Sequence, residues 1–239
     1  GRVAGRVVSR PALTLVAGLL VFGALAIGAT GYKGGGFGGS TTAPSGSDSA
    51  KGTALLGRYF PQSSANPTNI IFRLRTPAWT DPQVVATAGS KLRASGLFTQ
   101  VTGPLDPTGV TLTPVQLTEL HAALGPAKAL PAVPPHGLRI PAIGYDIYRA
   151  TQNFISPDGL TVQYQTGLKA GDASTTAAMN AVPSIRAETT AVARSIGATD
   201  SAVGGEAPAI YDISNISNGD LVRVIPIAIV VIGLLLALV

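Results

Sequence analysis

The chain has 239 residues, 46% of them apolar and only 12% charged, with a net charge of +5. It has no cysteine, which excludes disulfide scaffolds, zinc knuckles and thiol nucleophiles. Such a balance is too apolar for an ordinary soluble domain, and two uncharged segments, Pro11 to Ala29 and Val224 to Val239, account for the excess. Arg2, Arg6 and Arg10 crowd the first ten residues, whereas the stretch from Thr30 to Arg223 is nearly balanced. The basic excess is therefore a topology signal and not the clustered footprint of a nucleic-acid binder.

Residues 1–10 read as a cytoplasmic basic tail, with its three arginines on one helix face. Residues 11–30 read as a transmembrane helix. The run PALTLVAGLLVFGALAIGA is uncharged, reaches about 28 Å as a helix, and carries Gly18 and Gly23 suited to close helix packing in lipid. A signal peptide, with Ala24 and Ala26 marking a cleavage site, is the rival reading. Residues 31–47 form a Gly/Ser-rich linker that lacks the Lys-Ser/Thr ending of a phosphate loop.

Residues 48–206 read as a folded domain. Ala54, Leu55, Tyr59 and Phe60 recur at helical spacing after Asp48, and Pro61 stops the run. Asn69 to Leu74 predicts a strand with Arg73 and Arg75 pointing outward. Asp81-Pro82 predicts a capped helix start, and Val84, Val85, Ala88, Leu92 and Leu97 its inner face. Phe98 to Thr102 is a second strand, closed by Gly103-Pro104. An insertion follows: a short helix over Thr113 to Leu124, the Pro-rich connector ALPAVPPHG, and a helix from Ile140 to Phe154. Thr161 to Leu168 alternates as a strand, Ser174 to Ile196 is a long helix broken or kinked near Pro183, and Asp200 to Gly204 is a last strand. Two β-α-β units predict an α+β fold, a ferredoxin-like split βαβ sandwich outside the cytoplasm, carried by two transmembrane helices.

Residues 207–223 read as a lead-in helix and 224–239 as a second transmembrane helix, truncated because the apolar run is unfinished at Val239. Asp220 is expected near a helix start, where the dipole favours a carboxylate. The other reading makes Asp212, Asp220 and Arg223 a coupling element where the chain approaches the membrane. Pro226 either kinks a helix that begins near Ala207 or sits in a first turn after an interruption at Asn218-Gly219.

The parts in this order resemble the MMPL (mycobacterial membrane protein large) branch of the resistance-nodulation-division transporters. RVVSRPALTLVAGLLVFGALAIG resembles the first span of a transporter half, and SDSAKGTALLGRYFP the helix that opens its outer domain. SPDGLTVQYQTGL, AAMNAVPSIRAETTAVA and GGEAPAIYDISNISNGDLVRVIPIAIVVIGLLLAL are similar to the strand, helix and lead-in that precede its next span. The resemblance implies a proton-driven exporter of lipid or other hydrophobic envelope components in a bacterial plasma (inner) membrane. It also implies a multi-pass protein with the central domain outside the cytoplasm. The family's proton relay lies in spans beyond this stretch, so no relay residue carries over. The implied partners are membrane lipids, the remaining spans and the second half of the transporter, with a homo-oligomer also open.

No catalytic, cofactor-binding or metal-binding set is expected. His121 and His136 lie on a helix and in a loop and are expected to face solvent. Tyr145 and Tyr148 share one helix face and, with Phe154, are candidate walls of a substrate cavity; core packing with the hydroxyls at the rim is the plainer reading. Trp79, between two prolines, is either a packed loop plug or a membrane-interface anchor. An extracytoplasmic sensor domain of a two-span membrane receptor is the alternative function. A weaker third reading is a secreted domain with a cleaved signal and one C-terminal anchor.

Overall fold

The computed structural model describes residues 11–30, 46–48, 51–52, 55 and 66–238. The basic tail, most of the linker and most of the helix expected after Asp48 lie outside the described residues. Residues 48, 51, 52 and 55 are helical.

By contact the chain divides into 1–35 and 36–239. The first unit holds helix α1, Pro11–Thr30, 20 residues without a charge and with Leu19, Leu20, Phe22, Leu25 and Ile27 exposed. At 1.5 Å per residue it extends roughly 30 Å.

The second unit is built on four strands, β1 (Thr68–Arg73), β2 (Phe98–Thr102), β3 (Thr161–Leu168) and β4 (Asp200–Gly204). They pair in the order β2-β3-β1-β4, and every neighbouring pair is antiparallel. Helix α2, Pro82–Ala94, links β1 to β2 across the intervening β3. Helix α5, Thr176–Ser195, links β3 to β4 across the intervening β1. The fold is thus mixed α+β with one antiparallel sheet. β1 begins one residue earlier than expected, β2 and β3 occupy their expected spans, and β2 carries a register shift between Phe98 and Gln100.

One face of the sheet carries the core. Ile70 and Phe72 of β1, Val162 and Tyr164 of β3 and Val101 of β2 are buried against Val85, Ala88 and Leu92 of α2 and Val182, Ile185 and Val192 of α5. Side chains alternate along a strand, so Asn69, Ile71, Gln163 and Gln165 fall on the other, half-exposed face. Tyr164 holds the layers together: its ring meets Phe72 edge-on at 6.0 Å and its hydroxyl donates to the Val85 carbonyl at 2.6 Å.

The helix starts and stops differ from expectation in three places. Asp81 occupies the N-cap position of α2, but its side chain makes no capping bond; Pro82, with no N–H to satisfy, opens the helix. α5 runs unbroken through Pro183, since the core-facing positions on both sides of the proline hold the helix down. The helix expected over Ile140 to Phe154 is α4, Ala142–Ala150, finished by a 3₁₀ turn at Thr151–Asn153. Helix α3, Pro114–Leu124, is capped as its sequence suggests. Thr113 Oγ1 accepts from the Gln116 amide and Gln116 Oε1 from the Thr113 amide.

The lead-in and the apolar run are one helix, α6, Glu206–Leu238, 33 residues long. Asn218 and Gly219 do not interrupt it, which leaves Pro226 as an interior residue that removes one backbone donor. Among the described residues α6 is long and apolar enough to cross a membrane, with a mean hydropathy of 1.9 in its most apolar window.

Gly205 makes the turn from β4 into α6. Its φ is +124°, and a Cβ there would come 3.1 Å from the Pro67 carbonyl oxygen and 3.3 Å from Thr68 Cα. Gly205→Ala is therefore expected to cost about 1–3 kcal/mol, through strain and collision with backbone that cannot yield. Urea unfolding of the purified protein, read as a shift in midpoint without a change in slope, measures it.

Candidate functional site

The insertion between β2 and β3 is where the candidate tyrosines lie. Its connector, 125–141, contains Pro126, Pro131, Pro134, Pro135 and Pro141, none of which can donate a backbone hydrogen bond. Such a segment cannot pair with a strand and is tied down by side chains. Tyr145 Oη donates to the Pro131 carbonyl at 2.7 Å, and Tyr148 Oη to the Gly125 carbonyl at 2.6 Å. Both rings are buried, as is Phe154 after the 3₁₀ turn. The space beside Tyr148, bordered by Trp79, Leu117, Lys128, Gln152 and Ile155, measures about 20 Å³. That is room for one water and not for an acyl chain.

His121 departs from expectation. It is only partly exposed: its ring stacks on Trp79 at 3.9 Å with an interplanar angle of 9°, and Nδ1 lies 2.8 Å from Tyr148 Oη. The tyrosine proton goes to Gly125, so the bond to His121 has the imidazole Nδ1–H as donor. Burial lowers the His121 pKa and pushes the Tyr148 phenol up to about 12. Trp79 is a packed loop residue. Its indole covers Gly159, where any Cβ would collide with the ring, and its carbonyl accepts from Thr118 Oγ1 at 2.8 Å. His136 is exposed, as its loop position suggests. Among the described residues no group of acids and histidines converges as a metal site.

The second set lies where α6 leaves the domain. The structure separates its three members. Asp212 meets Arg186 of α5 in a two-pronged pair, Nη1 to Oδ1 and Nη2 to Oδ2, both 2.8 Å. Asp220 and Arg223 lie exposed further along the helix. Asp220 shares a stripe with Ile213, Ile216, Ser217 and Val224. The dipole role expected of Asp220 fails, because α6 begins fourteen positions earlier, at Glu206. Arg186 carried no signal in the sequence: its partner is 26 residues away, and nothing local marks it.

Tyr148→Phe keeps the ring but leaves the Gly125 carbonyl and His121 Nδ1 without their shared partner. A loss of about 1–3 kcal/mol is expected. The pH dependence has a definite sign. Unfolded, this phenol ionises near 10; folded, it holds its proton to about 12. The unfolded state binds fewer protons between those values, so stability falls as pH rises through that window. Tyr148→Phe is expected to flatten the fall, as read from urea midpoints taken from pH 9 to 12.

No curated protein matches the chain. The model of the MMPL family matches residues 41–239, which takes in the whole of the second unit's sheet, the insertion and α6. Members of that family are membrane transporters of the resistance-nodulation-division superfamily, which agrees with a folded domain continuous with an apolar helix. The chain belongs to the MMPL family.

Proposed function

We propose that this chain is the outer, porter-like part of a proton-driven exporter of lipid or other hydrophobic envelope components. α1 and the apolar end of α6 hold it in a bacterial plasma membrane, with the tail of 1–10 inside and the sheet domain outside. The observation that carries the reading is α6, in a chain of this family: one helix docks on the folded domain and continues without a break into an uncharged run. A domain joined to a span in this way transmits its movement to the membrane, which is what substrate handling outside and energy conversion inside require. The strand order β2-β3-β1-β4, with each helix crossing over one strand, supports the ferredoxin-like split βαβ description.

Neither Pro11–Ala29 nor Val224–Val239 contains a titratable side chain. Proton transfer is accordingly assigned to further spans and to a second transporter half, and this chain supplies the moving body. The candidate cavity along α4 requires Tyr148 to release Gly125, because the space beside the closed helix is about one water in size. Family membership favours the exporter over the two-span sensor.

This stretch has no cysteine, and with any cysteines elsewhere in the transporter replaced, single cysteines report its topology. In the full-length transporter in intact cells, Val133→Cys is expected to react with a membrane-impermeant maleimide. Arg2→Cys is expected to react only after permeabilisation. Export of the hydrophobic cargo is expected to stop when a protonophore collapses the proton gradient. The reverse labelling pattern, or export indifferent to the protonophore, overturns the proposal.

A further inference from the structure

We infer that Arg186 is a positioning residue: its fork on Asp212 sets the direction in which α6 leaves the folded domain. It thereby forms the joint through which domain and span move together. The inference rests on the exporter reading above.

α6 touches the domain only at its start. Ala207 and Pro208 are buried, Ile210, Tyr211 and Ser214 are half-buried, and residues 215–217, 219–220 and 222–235 are exposed. About 13 Å of helix is docked and about 36 Å projects beyond it. A small residue such as Ala207 lets the helix approach the core without fixing its tilt. Direction comes from Arg186, which meets two consecutive residues of α6. Its guanidinium carbon lies 5.6 Å from the centre of the Tyr211 ring, and its two terminal nitrogens grip the two carboxylate oxygens of Asp212. A planar fork on a carboxylate admits one orientation, where a lysine would act as a point charge.

The pair is not placed for stability. The side chains are 39% and 51% exposed, so solvent screens the attraction and its loss leaves the fold nearly as stable. What it controls is angle. On the projecting length, a tilt of roughly 5° displaces the far end by about 3 Å. Asp212 sits in the last docked turn, where a restraint acts on the longest lever.

The experiment uses the full-length transporter in its membrane with Arg186→Glu, Asp212→Arg, both together, and Arg186→Lys. Spin labels at exposed Ala191 on α5 and Ile216 on α6 read the joint independently of transport. Each single charge reversal is expected to lower export about fivefold or more, the lower end of coupling between sites, and to broaden the distance distribution without lowering the melting temperature. The double reversal is expected to restore both, and Arg186→Lys to fall between. Export at the wild-type level in either reversal overturns the inference, as does a double reversal that fails to restore it. If the wild type itself exports nothing, the exporter reading falls. The joint is then judged by distance alone: unchanged distributions in the single reversals overturn it.

Discussion

The starting point of α6 is fixed against a central strand of the sheet. At Gly205 a positive φ and the closeness of Pro67 and Thr68 disfavour any side chain, and the chain turns straight from β4 into α6 without a loop. β1, against which it passes, is bonded on both sides, to β3 and to β4. β3 is in turn held to the helical layer by the hydroxyl of Tyr164. The helix therefore emerges from the edge strand β4, directly beside β1, the strand bonded on both sides. Arg186 then adds orientation to a start point that is already fixed.

The insertion is held by a different kind of force. Its prolines cannot enter the ladder, and its links are the hydroxyls of Tyr145, Tyr148 and Thr118 and the stack of Trp79 on His121. Apolar packing joins these ties, with Leu117, Tyr148 and Ile155 in the core cluster and Leu120, Leu124 and Leu130 against it.

Much of this was legible in the order of residues. Strand β2 was readable from the Gly103-Pro104 breaker that closes it and β3 from its alternation, and Tyr145 and Tyr148 could be placed on one face from their spacing of three. The contacts that give the sites their chemistry were not readable. His121 meets Tyr148 across 27 residues and Arg186 meets Asp212 across 26, and neither pairing leaves a local trace. Asp220 was misplaced because Asn218-Gly219 reads as a stop; in a helix already begun at Glu206, a single glycine costs only about 1 kcal/mol and is passed over. Of the two readings at Pro183, a break and a kink, the break does not occur: Val182 and Ile185 pack into the core on either side of the proline.

The outer strands of the sheet have a consequence for assembly. β2 is distorted by the irregularity between Phe98 and Gln100, and β4 is five residues long and ends at the turn into α6. Bent or very short margins are poor templates for another chain's backbone. Neighbouring copies or domains packed around this one must therefore meet it through side chains on its faces and helices. Edges of this kind disfavour the addition of foreign strands to the sheet.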